Sequence, residues 1–175
     1  CKDIMISGFV LAKPGEKISK SKNNAGGSPF ALIENHSADA IRYWAASGRL
    51  GTDTFFSETQ LKISKKFINK LYNAANFTIL QLEDFKKTRQ HDESELLPID
   101  RWILQRVSQT TTKAVKLLDN YEIGQARHET DELFWKDFCD YYIEIVKERL
   151  YQPEKHGIEQ RYSGQTALYY SLLGI

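Results

Sequence analysis

The spacing of hydrophobic and polar positions changes once along the chain. Residues 4–12 are apolar and rich in β-branched side chains, and residues 13–16 place Pro and Gly at turn positions. This pattern predicts a strand, a turn and a short returning strand. Residues 17–27 have no period and are rich in Lys, Ser, Asn and Gly, which favours an exposed loop.

From Ser28 onward the apolar positions recur with helical spacing. Ser28 suits the N-cap of a short helix that begins at Pro29, and Ser37 suits the N-cap of a second helix. Ser57 has the capping-box spacing to Gln60, so a long helix to about residue 82 is predicted. We expect the following positions of that helix to face inward: Leu61, Ile63, Phe67, Ile68, Leu71, Ala75, Ile79 and Leu82.

The second half of the chain predicts further helices. Residues 83–97 are charged and aperiodic, and we interpret them as a linker. Long helices are predicted over residues 99–120 and about 123–150, and a last helix follows Pro153 and Gly157. The predicted fold class is mainly α, a helical bundle with a short β and loop element at the N-terminus.

Composition excludes several classes of protein. The hydrophobic fraction of 41% and charged fraction of 27% are typical of a folded domain. The net charge of +1 means that a nucleic-acid partner would need a local basic surface. Two cysteines are too few for a disulfide framework and indicate a reducing, cytoplasmic setting. The four histidines are far apart, so we expect no metal site, and no apolar run approaches the length of a membrane span. The chain begins with Cys1 and stops inside a helical pattern, so we expect a fragment of a longer protein.

Residues 17–24, here called the signature loop, carry the most chemistry. Within residues 1–24, five lysines stand against two acidic residues. Compact lysine charges, hydroxyls and free backbone N–H groups suit a polyphosphate ligand. A solvated surface loop would use the same residue types, as would a targeting signal or a phosphorylation site, although the flanking strand and capped helix disfavour the last two.

The signature loop resembles a known family motif. Residues 17–21 are Lys-Ile-Ser-Lys-Ser, similar to the Lys-Met-Ser-Lys-Ser signature of class I aminoacyl-tRNA synthetases. The family pattern continues with Gly-Asn, Asp-Pro and Ala-Asp-Ala-Leu-Arg, and this chain has similar residues in the same order at 23–24, 28–29 and 38–42. Ile18 in place of Met conserves volume and should still anchor the loop. Asn23 in place of Gly would strain a position of positive φ.

The resemblance implies specific roles for the loop residues. In that family the two lysines stabilise the pyrophosphate leaving group while ATP and amino acid form an aminoacyl-adenylate. Lys17 and Lys20 would therefore be catalytic, and Ser19 and Ser21 would join them in binding ATP, with Mg²⁺ as the other cofactor. Lys22 would be a solvated charge or contact the tRNA 3′ end. The family's His-Ile-Gly-His signature does not occur in residues 1–175, so this chain alone should not activate an amino acid.

Two later segments narrow the resemblance. Residues 65–77 look like the stem-contact helix of the valyl, isoleucyl and leucyl group, and residues 135–144 are most like the valyl branch. The resemblance implies tRNA(Val) as partner, valine and ATP bound by an upstream domain, and a monomer. An isoleucyl or leucyl enzyme is the nearest alternative.

The resemblance also predicts a division of the chain. Residues 1–27 would end the catalytic domain, residues 28–97 would form stem-contact helices and a linker, and residues 98–175 would be a truncated anticodon-binding bundle. A non-catalytic RNA-binding module and a purely structural bundle are the alternatives from other classes.

The helix after Ser57 supports RNA binding on its own residues. No acidic residue lies between positions 61 and 76, and that segment contains four lysines and three asparagines. Such a stripe suits RNA phosphates and 2′-hydroxyls, although an ordinary solvated face has the same composition. The candidate RNA-binding residues are Lys62, Lys66, Asn69, Lys70, Asn73, Arg101 and Arg127. Aromatic residues at 134–142 are more typical of bundle core than of a base-stacking surface.

Overall fold

A computed structural model describes residues 3–22, 24, 28–85 and 95–175. Strands β1 (Val10–Lys13) and β2 (Glu16–Lys17) form an antiparallel hairpin in which Leu11 lies opposite Lys17. Gly15 has a φ of +74° at the turn, a conformation that glycine adopts without steric cost. The predicted turn and returning strand are thus confirmed, whereas the first strand begins only at Val10 and residues 4–9 of the predicted strand have no regular secondary structure. Strand β3 (Thr54–Phe55) pairs parallel to β1, giving the order β2-β1-β3, and its two residues gave no signal in the sequence.

Helices form most of the described chain. They are α1 (Pro29–His36), α2 (Ala38–Ala45), α3 (Glu58–Gln81), α4 (Pro98–Asp119), α5 (Ile123–Glu132), α6 (Ile143–Tyr151), α7 (Pro153–His156) and α8 (Ile158–Gly174). A π-helical segment, Leu133–Tyr142, joins α5 to α6.

The three predicted N-caps are confirmed. Ser28 Oγ accepts from the backbone N–H of residue 31 at 3.2 Å, and Ser37 Oγ accepts from that of residue 40 at 3.4 Å. Ser57 Oγ accepts from the N–H of Gln60 at 3.4 Å. Each bond satisfies a donor that the first turn of a helix leaves unpaired, which is why these local signals fixed the helix starts. Most of the predicted linker, residues 86–94, lies outside the described residues.

The chain divides into two compact units, residues 1–71 with 116–128 and residues 72–115 with 129–175. The first unit buries Leu11 of β1, Ala40 of α2, Leu61 and Phe67 of α3 and Ala126 of α5. The ring of Tyr43 stacks on Phe67 with 4.4 Å between centroids. This apolar packing stabilises the first unit.

The second unit is built around the π-helical segment. Because hydrogen bonds there span five residues, side chains four and five apart share a face, and Phe134, Phe138 and Tyr142 are all fully buried. The prediction that the aromatic cluster is core is confirmed for these three residues. It is wrong for Trp135 and Tyr141, which are 36% and 52% exposed.

A buried ion pair crosses this second core. Asp100 of α4 is fully buried, and Arg149 of α6 donates to both of its carboxylate oxygens, one at 2.8 Å. The Tyr142 hydroxyl donates to the same carboxylate at 2.6 Å, and Ser163 of α8 donates to it as well. Burial, reinforced by the Asp100 charge, raises the pKa of Tyr142 well above its usual range. The ion partner of Asp100 is therefore Arg149, in the core and not at the surface.

The inward face of α3 differs from the predicted one. Leu61 and Phe67 are buried as predicted, whereas Ile63 and Ile79 are 49% and 62% exposed. The other buried positions of α3 are Ser64, Ala74, Thr78 and Gln81. The buried stripe therefore includes polar side chains, and the apolar pattern alone did not locate it.

Candidate phosphate loop and RNA-facing helix

The signature loop begins at the end of the hairpin. Lys17 is the last residue of β2, is exposed, and holds its Nζ 4.9 Å from the centroid of the Phe9 ring, a cation–π distance. Lys20 begins a 3₁₀ turn, Lys20–Lys22, in which the N–H of Lys22 donates to the Ser19 carbonyl at 3.2 Å. The side chain of Lys20 lies outside the described part of the structure.

Asn24 makes three hydrogen bonds to the start of the loop. Its Oδ1 accepts from the Ser19 backbone N–H at 2.8 Å. Its Nδ2 donates to Glu16 Oε1 at 2.9 Å and to the Lys17 carbonyl at 3.2 Å. Lys22 Nζ lies 3.7 Å from the same Glu16 oxygen. One side chain therefore ties the backbone of residues 17–19 to the hairpin.

Two hydroxyls lie side by side in the loop. The Oγ atoms of Ser19 and Ser21 are 2.8 Å apart, and Ser21 is exposed to solvent. Ile18, expected to anchor the loop, is 36% exposed, so it is only partly covered. Asn23, where strain was expected, lies outside the described residues.

The loop offers cations and hydroxyl donors at a surface, which suits the oxygens of a polyphosphate. Among the residues described, no group of three or more His, Cys, Asp or Glu side chains could hold a metal ion. The carboxylate of Glu16 accepts from Asn24 and pairs with Lys22, so the described residues of the hairpin and loop do not fit a Mg²⁺ site.

A basic face lies on the first half of α3. We define it as Lys62, Lys65, Lys66 and Asn69, all of which are exposed. Within the described part of the chain, none of these three lysines forms an ion pair. Lys70 is half-buried and takes part in other interactions, and Asn73 is exposed further along the helix. The basic face is therefore an uncompensated positive surface.

The remaining RNA candidates have different surroundings. Arg101 is exposed in the first turn of α4. Arg127 is half-buried with its guanidinium carbon 4.5 Å from the centroid of the Tyr43 ring, so it packs against the first unit's core. Lys113 Nζ lies 2.7 Å from Glu129 Oε1 and forms a surface ion pair. RNA roles for Arg101 and Arg127 stay predictions.

Two residues at the loop had no role in the sequence interpretation. Glu16 was assigned only to a turn, and Asn24 only to a family pattern. Their contact joins positions eight residues apart across an aperiodic segment, and periodicity carries no signal for such a pair.

A cavity of about 460 Å³ lies elsewhere in the first unit. Its lining includes Phe9, Val10, Trp44, Leu50 and Ile123. None of its lining residues belongs to the signature loop. Its apolar wall does not match the phosphate chemistry of the loop, and we assign the candidate site to the loop for that reason.

Two family descriptions match this chain. "tRNA synthetases class I (I, L, M and V)" matches residues 1–57, which contain the hairpin and signature loop. "Anticodon-binding domain of tRNA ligase" matches residues 100–175. The chain belongs to the class I tRNA synthetases.

Within that class, the chain is most like the valine–tRNA ligases. It is 37% identical to the valine–tRNA ligase of Rickettsia felis over 98% of this chain and 20% of that protein. It is 41% identical to the valine–tRNA ligase of Wolbachia pipientis wMel over 86% of this chain and 17% of that protein. It is 38% identical to that of Rickettsia rickettsii (strain Sheila Smith) over 97% of this chain and 21% of that protein. The chain spans about a fifth of the length of these relatives. The predicted family and its valyl branch are confirmed, and the isoleucyl and leucyl alternatives are disfavoured.

One solved structure shows the same fold. The ternary complex of Agrobacterium radiobacter K84 agnB2 LeuRS-tRNA-LeuAMS matches with a TM-score of 0.63 at 15% identity, over 93% of this chain and 19% of that one. The predicted mainly α fold with a short β element is confirmed.

None of the helices in the described part of the chain has the length and apolar character that a bilayer crossing requires.

Proposed function

We propose that this chain is the part of a valine–tRNA ligase that supplies the pyrophosphate-binding loop and binds tRNA(Val). The observation that carries the proposal is the loop itself. An exposed lysine and a pair of neighbouring hydroxyls follow directly on the hairpin, inside the segment that matches the class I family. The identity to valine–tRNA ligases over 98% of the chain supports valine as the amino acid.

The proposed reaction is the activation of valine. A valine carboxylate oxygen attacks the α-phosphorus of ATP, the bond to the β-phosphate oxygen breaks, and pyrophosphate leaves with the electron pair. Negative charge therefore grows on the leaving group in the transition state. Donors that bind this charge more strongly than they bind ATP lower the barrier.

The signature loop has the groups for this role. Lys17 would place its ammonium on the leaving oxygens, and Ser19 and Ser21 would add hydroxyl donors. Lys20 would be the second cation, as the resemblance implies. ATP is a substrate, and Mg²⁺ would arrive with it. Since the described loop does not fit a Mg²⁺ site, we assign no step to the metal.

The basic face of α3 supports the tRNA part of the proposal. Three exposed lysines without acidic partners in the described chain can bind phosphates without first breaking an ion pair. A neighbouring asparagine can donate to ribose hydroxyls. After activation, a ribose hydroxyl at the 3′ end of the bound tRNA(Val) would attack the valyl carbonyl, and AMP would leave.

The catalytic part is tested by Lys17→Ala and Lys20→Ala in the full-length protein. We expect each variant to slow valine-dependent ATP–pyrophosphate exchange by about 10²-fold, because each removes a donor to the developing charge. The measurement is the exchange rate at saturating ATP and valine. Lys13→Ala, an exposed lysine on β1 of the same hairpin, is the matched control and should retain the exchange rate. Unchanged exchange in Lys17→Ala would show that the loop is not catalytic.

A further inference from the structure

We infer that Asn24 and Glu16 are positioning residues that hold the signature loop in the orientation needed for pyrophosphate release. The inference rests on the proposed function, because it assigns these residues to the same reaction. It names two side chains that act through the backbone of Lys17 and Ser19 rather than by touching the substrate.

Asn24 restrains the two peptide planes on either side of Ile18. Residues 18 and 19 have no regular secondary structure, so neither strand nor helix fixes their orientation. Asn24 binds the Lys17 carbonyl at 3.2 Å and the Ser19 N–H at 2.8 Å, on either side of Ile18. Two bonds from one rigid amide hold both planes at once. The directions in which the side chains of Lys17 and Ser19 leave the backbone are thereby restricted.

Glu16 sets the orientation of the Asn24 side-chain amide. Glu16 Oε1 accepts only from the NH₂ side of Asn24, at 2.9 Å, which leaves Oδ1 to face the Ser19 N–H. The Glu16 backbone is itself fixed, since it lies in β2 opposite Lys13. The carboxylate therefore links the loop to the hairpin and selects one of the two possible amide orientations.

Glu16 also affects the charge of a loop lysine, Lys22. Lys22 Nζ lies 3.7 Å from Glu16, and both side chains are partly exposed, at 64% and 34%. The pair is a surface ion pair of small energy, but it partly neutralises Lys22. Among the described residues Lys17 forms no ion pair, and its Nζ lies over the Phe9 ring. The two loop lysines whose side chains the structure describes, Lys17 and Lys22, thus differ in the charge that they can offer to phosphate.

The expected signature is kinetic. A loop that has lost its orientation can still bind ATP. It must then become ordered when the transition state forms, and this ordering costs entropy. The turnover number should therefore fall while the KM for ATP changes little. A residue needed only for overall folding would instead reduce the amount of active enzyme and leave the kcat per active site unchanged.

The experiment uses the full-length protein and ATP–pyrophosphate exchange with valine, with active sites titrated in each variant. Asn24→Ala removes all three bonds, and Asn24→Asp keeps the Ser19 bond but sets a carboxylate against Glu16. We expect each to lower kcat by about tenfold with the KM for ATP within about twofold. Glu16→Gln keeps an oxygen that can accept from Asn24 but no longer selects one amide orientation, so we expect it to lower kcat, by less than Asn24→Ala does.

The double variant Asn24→Asp with Glu16→Gln provides the rescue. It reverses the polarity of the pair, since the new glutamine amide can donate to the new aspartate, which still accepts from Ser19. We expect it to recover part of the kcat that Asn24→Asp loses, because the contact with position 16 is restored while the bond to the Lys17 carbonyl stays lost. Absence of recovery, or a normal kcat in Asn24→Ala, would overturn the inference.

Lys17→Ala, measured alongside, separates this inference from the proposed function. If Lys17→Ala slows exchange and Asn24→Ala does not, the loop is catalytic and the positioning role is wrong. If Lys17→Ala leaves exchange unchanged, the proposed function fails and the positioning role fails with it.

Discussion

At the scale of single residues, Asp100 shows how a buried charge is tolerated. Its carboxylate is fully buried, yet it accepts hydrogen bonds from Arg149, Tyr142 and Ser163. Ser163 Oγ in turn accepts from the Leu97 N–H at 2.9 Å, so the network continues into the backbone. Desolvation of a charge is costly unless it is paired and hydrogen-bonded, and here both conditions hold.

The residue-scale prediction is that Arg149→Met strongly destabilises the protein. Methionine preserves much of the side-chain volume but leaves the Asp100 charge buried without its ion partner. We expect the free energy of unfolding to fall by about 3–5 kcal/mol in a urea titration. Lys147→Met, a neighbouring surface residue that pairs with Glu144, is the control and should change it by no more than about 0.5 kcal/mol. A loss as small as the control's would mean that the Asp100 network does not stabilise the fold.

At the scale of elements, helix starts were predictable and helix faces were less so. The caps at Ser28, Ser37 and Ser57 depend on bonds within a few residues, which sequence displays directly. Burial of Ser64 depends instead on its hydroxyl donating to the Gln60 carbonyl within α3, at 2.9 Å. A polar residue whose hydroxyl is hydrogen-bonded within its own helix can face a core. A prediction from hydrophobic periodicity nevertheless puts such a residue on the exposed face of the helix.

The same limit applies to the π-helical segment and to the candidate site. Sequence predicted one continuous helix through residues 123–150, but the change to π bonding depends on how the aromatic side chains pack. At the loop, Lys17 was identifiable because charge, flanking elements and family resemblance coincide. The Asn24 and Glu16 contact was not identifiable, because it forms across residues without a repeating pattern.

The element-scale prediction concerns the packing of α8 against α6. A Cβ added at Gly164 would lie 2.7 Å from Val146 Cγ2 and 3.4 Å from Arg149 Nε. Gly164→Ala gains up to about 1 kcal/mol of helix propensity, but overpacking costs about 1–3 kcal/mol, so we expect net destabilisation. Thermal unfolding measures it, with Gln160→Ala on the exposed part of α8 as the control. A higher midpoint for Gly164→Ala would show that α6 and α8 can separate without penalty.

At the scale of the whole molecule, the net charge of +1 conceals an uneven distribution. The lysines of the basic face have no acidic partners in the described chain, while others such as Lys113, Lys147 and Lys155 are paired. A nearly neutral protein can therefore present a local surface to RNA. The proposed division of labour between loop and basic face follows from this distribution, and the predicted domain bounds and monomeric state stay predictions.

The molecule-scale prediction is that Lys66→Ala weakens tRNA(Val) binding without slowing valine-dependent exchange. Loss of one phosphate contact should reduce the slope of log affinity against log salt by about one. The measurement is a salt series with tRNA(Val) and tRNA(Ile), using the full-length protein. Lys147→Ala, which removes the same charge from an existing ion pair, is the control. If Lys66→Ala binds tRNA(Val) at low salt as tightly as the unmodified protein does, the basic face is an ordinary solvated surface and not a tRNA contact.

The Asp100 network also sets an order of events during synthesis. Arg149 lies 49 residues after Asp100, and Ser163 lies 63 residues after it. At about 5–20 residues per second, a ribosome needs about 3–13 s to reach Ser163 after adding Asp100. Until then the carboxylate lacks its Ser163 partner, and the network in the core is incomplete. The nascent second unit therefore cannot complete its core until α8 has left the ribosome, and a ribosome that pauses before Ser163 would leave the faces of α4 and α6 uncovered for chaperones to bind.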